Sequence, residues 1–244
     1  LSARKIPKSG GNIFAGSGNF EFSNGDLQFD NLSDELRARG LTTVTKLKKV
    51  YDYGAGFGGP IKTDKLWFYT AHRWWGTQNT APGNYFNATP HSLFYTRDLD
   101  RPAYLDFPHR DNSVRLTWQA AAKHKITISE SLQRSCGCFT RADLGTYAPE
   151  ATYSFIYYPN SITQATWSYP ATNQLLFEAG ATTLWQNQDN VRQDDVLPGD
   201  ISVLELTTGY QYNANQPPPT IAASGLAISS TYGEGSRSHQ SNQR

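Results

Sequence analysis

Residues 112–120 read NSVRLTWQA, and this stretch decides the fold. Its apolar side chains occupy every second position, and polar or charged side chains occupy the positions between them. A period of two places successive side chains on opposite faces of a β-strand, whereas a helix brings apolar residues together every three or four positions. The stretch therefore predicts a strand with one apolar face and one polar face.

The same period recurs in six further segments, which together with the first run 8 to 12 residues each. Strands of globular proteins most often have about 5–6 residues, whereas a membrane-spanning strand needs about 9–11. In the segment 65–75, aromatic residues fall on both faces, and we place Arg73 with the polar one. The six segments are Gly11–Phe22, Leu47–Gly58, Lys65–Trp75, His124–Gln133, Ile162–Tyr169 and Gln174–Thr183.

Short and long connections alternate strictly between these segments. In an antiparallel up-and-down meander, such alternation places every short turn at one end of the strands and every long polar loop at the other. We therefore expect an all-β antiparallel meander that is part of a large transmembrane β-barrel, since outer-membrane barrels show this asymmetry. The short turns are residues 59–64, 121–123 and 170–173; the long connections are 23–46, 76–111, 136–161 and everything from 184 onward.

The aromatic and charged side chains predict which end of the strands lies at a membrane interface and which face lines the lumen. Aromatic residues near the short turns are expected to form a girdle at the membrane interface: Phe57, Trp67, Phe68, Trp118, Trp167 and Tyr169. A second aromatic band is expected near the long loops. From the alternation, the charges expected to face the lumen are Glu21, Asp52, Arg115 and Glu178. The alternation by itself fits a soluble β-sandwich equally well.

Composition narrows the function classes. The 244 residues carry a net charge of +1 with no basic stripe, so nucleic-acid binding is not expected. Starting at Leu1 without any Met, the chain is expected to be a processed product or a fragment. Cys136 and Cys138 lack the further ligands that a metal site requires. A disulfide across one intervening residue would be strained, although an oxidising medium would permit it. No catalytic motif or cofactor motif is present, so we do not expect an enzyme.

Aromatic rings and charges are interleaved in the long connection 76–111. Such residues either contact a polar ligand or pack the loop upon itself. The weak candidates for ligand binding are Tyr85, Phe94, Tyr95, Arg97 and Tyr104.

Several strings resemble the TonB-dependent outer-membrane receptors, in the subgroup that carries an N-terminal carboxypeptidase-regulatory-like domain. The most specific is GGPI at 58–61 followed by DKLWF at 64–68; the segments 7–12, 31–40, 115–118 and 163–167 also resemble that family. The resemblance covers about residues 5–185. It implies a piece of a plugged barrel of 22 strands, with 1–10 ending the plug, 11–185 forming about seven strands, and 186–244 an outer loop and the start of a further strand.

The resemblance also implies a function, namely uptake of a large scarce nutrient such as a siderophore, cobalamin or a glycan across the bacterial outer membrane. The implied partners are outer-membrane lipid, the protein's own plug and, through it, the TonB complex. Two alternatives share parts of the pattern. One is a secreted β-sandwich that binds carbohydrate through Trp74, Trp75 and Tyr85, and the other is a surface barrel for adhesion or structure.

Overall fold

The computed structural model describes residues 10–29, 32–40, 44–215 and 238–243. Most of the segment expected to end the plug, residues 1–9, lies outside the described residues, and so does part of the tail.

Seven long strands follow one another along the chain. They are β1 (Ala15–Asn24), β2 (Leu47–Lys62), β3 (Leu66–Asn87), β4 (Arg97–Ala121), β5 (His124–Thr140), β6 (Tyr153–Pro170) and β7 (Leu176–Val191). Each pairs antiparallel with its neighbour in sequence. The predicted all-β antiparallel meander is therefore confirmed. Among the described strands the sheet stays open.

The remaining elements are short. Helix α1 (Asp34–Ala38) lies in the first long connection, where the Ser33 hydroxyl caps it by accepting a hydrogen bond from the Leu36 amide. Strands β8 (Val203–Glu205) and β9 (Tyr210–Tyr212) form a separate hairpin after β7.

The tail contains one described strand of the main sheet. The sequence predicts an outer loop and the start of a further strand in 186–244, with the polar stretch 229–244 partly flexible. β10 (Ser238–Gln243) pairs antiparallel with β7 and lies at the edge of the sheet opposite β1. Backbone hydrogen bonds along the edge of β7 order this segment without any hydrophobic pattern of its own.

Two of the expected long loops are mostly strand. β3 and β4 extend through 76–111 until only residues 88–96 connect them, and β5 and β6 extend through 136–161 until only 141–152 remain. These extensions carry Pro, Asn, Asp and Gly, and their register shifts at bulges near Tyr85 and Ser135. A bulge moves the side chains out of phase, so the period of two is lost although the backbone pairing continues.

Short and longer connections still alternate along the chain, although two of the long loops are shorter than expected. Residues 63–65, 122–123 and 171–175 make the short turns, and residues 25–46, 88–96, 141–152 and 192–237 make the longer connections. Consecutive strands are antiparallel, so the short turns share one end of the sheet and the longer connections share the other.

Buried side chains concentrate at the long-loop end. A small core joins Ala81, Ala103 and Ala142, with Leu105 and Phe139 packed against it. Along the central parts of the strands, by contrast, large apolar side chains stay exposed on one face. The two faces of the sheet therefore differ, and the longer connections form a compact layer at one end of it, which we call the loop layer.

Candidate functional site

The register divides the sheet into two faces of different chemistry. Directly paired residues in an antiparallel sheet point to the same side, as do alternate residues along one strand. Glu21 pairs with Asp52, and the same face continues through Trp75 and His109 to Arg115. Glu178 reaches this face through its pairing with Ser168. The four charges expected on one face do share it, and we call it the polar face.

The polar face carries an ion pair between β2 and β3. The Arg73 Nε donates to Asp52 Oδ1 at 2.9 Å, and a second Arg73 nitrogen contacts Asp52 Oδ2. The Arg73 guanidinium also lies 4.7 Å from the centre of the Trp75 ring, which stacks on His109 at 5.1 Å. Arg73 therefore lies on the polar face, as the sequence predicted.

Hydrogen bonds continue this polar belt across the next strands. The Asp111 carboxylate on β4 accepts from the Gln133 side chain at 2.7 Å and from the Ser131 hydroxyl at 3.0 Å. Asn160 on β6 in turn donates to the Gln133 side-chain oxygen at 3.5 Å. The belt thus offers carboxylates, amides and one guanidinium at a similar height on neighbouring strands.

Near the short-turn end of the polar face, glycines leave room for one aromatic ring. An added Cβ on Gly56 would lie 2.3 Å from the Tyr69 hydroxyl oxygen, and one on Gly58 would lie 2.7 Å from its ring. Tyr69 therefore lies across the bare backbone of β2, and these glycines are required by that close approach.

The opposite face, the apolar face, leaves large side chains uncovered. Those with two fifths or more of their surface exposed include Phe20, Phe22, Tyr53, Phe57, Val114, Leu116, Trp118, Ile128, Phe177 and Trp185, all placed on this face by the register. An apolar surface of this extent on a sheet indicates contact with another apolar phase or partner.

Five of the six expected girdle residues lie on the apolar face close to the short turns. The ring centres of Phe57 and Phe68 lie 5.8 Å apart, and those of Trp167 and Tyr169 lie 6.0 Å apart in a stacked pair. Trp118 lies on β4, one of the two strands between these pairs.

Trp67 does not join the girdle. It pairs with Thr117 on the polar face, and its indole N–H donates to the Asn12 side chain at 2.7 Å. The expectation for Trp67 is wrong because it precedes Phe68 directly, and adjacent strand residues point to opposite faces. The same Asn12 oxygen accepts from the Asp64 amide, so the segment before β1 is tied to the turn between β2 and β3.

The apolar face also carries polar groups, and four of them form two pairs. Glu130 accepts a hydrogen bond from the Thr163 hydroxyl across β5 and β6. His72 and Asn112 share a hydrogen bond of 2.8 Å across β3 and β4. Each pairing gives these polar groups a hydrogen-bond partner on a face that is otherwise apolar.

At the long-loop end, Asn84 on β3 joins the connection 141–152 to strand β9. Its side-chain nitrogen donates to the carbonyls of Ala142 and Tyr147 at 2.6 and 2.7 Å, and its oxygen accepts from the Tyr210 hydroxyl at 2.7 Å. Tyr95 packs against Tyr210 with ring centres 4.9 Å apart. Burial raises the pKa of both tyrosines above the ordinary value, so both remain neutral phenols.

This cluster borders a first cavity of about 220 Å³. Its lining combines aromatic rings, an amide, a guanidinium and a carboxylate: Asn84, Tyr95, Arg97, Glu205, Thr208 and Tyr210, with Gly83 and Gly145. Such a mixture suits a polar ligand that carries hydroxyl or amide groups, because rings cover its apolar surface while donors and acceptors orient it.

A second cavity of about 170 Å³ lies against Glu150, which is only 5% exposed. Burial raises the pKa of the Glu150 carboxyl to about 7. The Asn213 backbone amide donates to one carboxyl oxygen at 3.4 Å, and the other oxygen has no hydrogen-bond partner among the described residues. His91 and Asp200, joined at 2.9 Å, and the Arg101 guanidinium line the same cavity.

Of the five weak ligand candidates, the structure brings Tyr95 and Arg97 together in the first cavity. Tyr85 lies beside it, where its carbonyl accepts from the Tyr95 hydroxyl. Tyr104 packs instead against Phe86 and Phe139. Phe94 is 75% exposed and lines neither cavity.

Asn84, Glu150 and Tyr210 were missed from the sequence. They lie far apart along the chain, and no motif links them.

Three further observations concern the cysteines, metal binding and membrane-spanning helices. Cys136 and Cys138 form a disulfide on β5. Within the described ranges, no group of three or more His, Cys, Asp or Glu side chains is arranged to hold a metal ion. No helix in the described part of the chain is long and apolar enough to cross a membrane.

Comparison with known proteins yields no relative: no family model matches the sequence, and neither a curated protein nor a solved structure matches it significantly. The resemblance to TonB-dependent receptors therefore rests on the strings of residues that carry it.

Proposed function

We propose that this chain forms part of the wall of an outer-membrane TonB-dependent receptor that takes up a large scarce nutrient. One observation carries the proposal: the long strands form a sheet with one exposed apolar face and one polar face, and all short turns lie at the same end. Such a wall separates lipid from a polar lumen, which is the arrangement of outer-membrane barrels.

The strand lengths support this assignment. The long strands after β1, including β5 (His124–Thr140), have 16 to 25 residues each. A tilted strand needs about 9–11 residues to cross the hydrocarbon core. The excess lies at the long-loop end and extends the wall beyond the membrane.

In this proposal the polar face lines the lumen and contacts the plug. The belt of Asp52, Arg73 and Asp111 has carboxylate, guanidinium and amide groups available for a polar partner. The tie between Asn12 and the turn at Asp64 holds the segment before β1 against the short-turn end, where a preceding plug would join the wall.

The loop layer is the proposed contact region for the nutrient. Its two cavities hold polar groups beside aromatic rings, which favours a ligand rich in hydroxyl or amide groups, such as a glycan or a siderophore. Trp74 and Trp75, in contrast, lie on opposite faces of β3 and form no common platform for a sugar. The carbohydrate-binding sandwich is therefore the weaker proposal.

The proposal is tested by fractionating source cells and probing with an antibody against residues 88–96, which connect β3 and β4. We expect a band in the outer-membrane fraction whose mobility shifts on heating, because barrels resist unfolding in detergent until heated. A band confined to the soluble fraction would overturn the proposal. A membrane band that persists after urea extraction excludes peripheral attachment.

A further inference from the structure

Two arginines face each other across β4 and β5. Arg110 pairs directly with Arg134. Both lie on the apolar face towards the long-loop end, and Arg110 lies next to Trp74 on β3. Directly opposed residues of an antiparallel pair have Cβ atoms about 4.5–5.5 Å apart, and like charges at that separation destabilise the sheet. An anion that contacts both guanidinium groups would remove this repulsion.

The described residues provide little compensation. Neither guanidinium forms an ion pair with a described carboxylate. Arg134 lies 5.7 Å from the centre of the Tyr158 ring, and both arginines are exposed. Arg110 and Arg134 border a cavity of about 370 Å³ that also includes Arg192 and two carboxylates, those of Asp106 and Asp194.

The height of the pair on the wall agrees with a membrane interface. Residues 111–121 separate Arg110 from the short turn, and at a rise of about 3.4 Å per residue they span about 37 Å along the strand. At a tilt of about 45° this is about 26 Å along the membrane normal, close to the apolar band of about 25 Å in outer-membrane barrels. The pair therefore lies where the hydrocarbon core meets the headgroups.

Neighbouring aromatic residues mark the same level. Phe20, Tyr53 and Trp74 form one cross-strand row that ends at Arg110, with Tyr53 and Trp74 stacked at 5.7 Å. Aromatic rings and arginines both favour the zone between hydrocarbon and water, where the ring contacts the chains and the charge contacts the headgroups.

We propose that Arg110 and Arg134 bind the phosphate of an anionic membrane lipid at the long-loop side of the bilayer. This inference rests on the proposed membrane location. Each planar guanidinium presents paired donors that match phosphate oxygens, so one phosphate bridges both arginines and removes their mutual repulsion. The lipid chains then lie along the exposed apolar face beneath the pair.

The experiment titrates the full-length protein, purified in a neutral detergent, with phosphatidylglycerol and counts bound lipids by native mass spectrometry. Phosphatidylcholine and inorganic phosphate are the comparison ligands. The double variant Arg110→Gln/Arg134→Gln is expected to bind phosphatidylglycerol about tenfold more weakly than the parent, with phosphatidylcholine binding unchanged. Arg110→Lys/Arg134→Lys keeps the charge and is expected to recover part of the affinity.

Lys125→Gln is the matched control, because Lys125 lies on the polar face near the short turns. Unchanged phosphatidylglycerol binding in the double arginine variant would overturn the inference, and so would an equal loss in the Lys125→Gln control. Displacement of the lipid by millimolar inorganic phosphate would identify a site for free phosphate and overturn the assignment to lipid.

The inference and the proposed function fail separately. The double arginine variant is expected to remain in the outer-membrane fraction with the same heat-shifted band as the parent protein. If the parent is absent from that fraction, the proposed function fails. If the parent is present there but both forms bind the lipid equally, only the lipid site fails.

Discussion

Asp52 on β2 and Arg73 on β3 lie diagonally across two paired strands, and their side chains form an ion pair with two contacts on the polar face. The Asn19 side chain of β1 adds a hydrogen bond to the same carboxylate at 3.4 Å. Three strands are thus joined by one charged cluster at the height where the polar belt crosses the sheet.

The Asp52–Arg73 pair is expected to contribute only modestly to stability, because Arg73 is half exposed. A double-mutant cycle with Asp52→Asn and Arg73→Gln should give a coupling of about 0.5 kcal/mol in the free energy of unfolding, decreasing in high salt. Lys62→Gln is the control variant, since Lys62 forms no ion pair with a carboxylate of the described residues. A coupling that is unchanged in 1 M salt would contradict a solvent-exposed pair.

Gly56 is expected to tolerate a side chain only if Tyr69 is changed as well. The Cβ of Gly56→Ala would lie 2.3 Å from the Tyr69 hydroxyl oxygen and should lower the free energy of unfolding by about 1 kcal/mol. Tyr69→Phe removes that oxygen and should restore most of the loss.

Gly180→Ala is the matched control for this comparison, because its Cβ would meet its nearest neighbour at 3.5 Å, an ordinary contact. Thermal unfolding in detergent compares Gly56→Ala, Tyr69→Phe, the double variant Gly56→Ala/Tyr69→Phe and Gly180→Ala. If Gly56→Ala and Gly180→Ala lose the same stability, the close approach of Tyr69 is not the cause.

Asn84 is expected to hold the loop layer together. Asn84→Ala removes two donor contacts and the acceptor of Tyr210, leaving buried groups unpaired, so the loop layer should lose about 2–3 kcal/mol of local stability. Limited proteolysis should then cut faster within residues 141–152. Tyr158→Phe is the control, because Tyr158 is exposed. Equal cleavage of the Asn84→Ala variant and the parent would contradict this role.

Glu150 is expected to make the loop layer less stable as the pH rises. Burial raises the pKa of the folded carboxyl to about 7, above its ordinary value of 4.5, so the folded state binds the proton more tightly than the unfolded state. The contribution of Glu150 to stability is therefore fully present below pH 4.5, is lost as the pH rises from 4.5 through 7, and changes little above that range.

Glu150→Gln keeps a neutral side chain of the same shape and should abolish this dependence. Hydrogen exchange of the amides in 141–152, corrected for intrinsic rates, gives the measurement at pH 5 and pH 8. We expect faster exchange at pH 8 in the parent and equal protection at both pH values in the variant. Equal pH dependence in both proteins would assign the effect to another group.

A charge on the apolar face is expected to impair insertion, whereas the same charge one residue away is not. Ile128 lies at mid-height of the proposed membrane band and is 51% exposed. Ile128→Arg should cost about 2–4 kcal/mol of insertion free energy. Ser129→Arg, on the polar face, should cost much less. Equal amounts of folded, heat-shifted protein from both variants would contradict the assignment of the faces.

The central strands could be predicted from the sequence because each is apolar on one face only. In 112–120 the period of two is unbroken, in 124–133 only Glu130 interrupts it, and the structure places strands at both. The same period of two predicts that Asp52 and Arg115 lie on one face of the sheet.

The strand extensions and the loop layer could not be predicted in this way. Bulges near Tyr85 and Ser135 break the period, and the pairing of β3 with β4 continues through backbone hydrogen bonds that any residue except proline can donate. The cluster of Asn84, Glu150 and Tyr210 depends on contacts between distant loops, for which no local pattern exists. Trp67 was misplaced because closeness to a turn was weighed above strict alternation.

The most direct test of the central claim is a cysteine scan of residues 113–118 in the full-length protein, with Cys136 and Cys138 replaced by Ser. A spin label at each position, in lipid bilayers, reports its accessibility to oxygen, which dissolves in lipid, and to a water-soluble nickel complex. We predict that oxygen accessibility peaks at 114, 116 and 118 and falls at 113, 115 and 117. A profile without period two, or full accessibility to nickel on both faces, would contradict a wall between lipid and lumen.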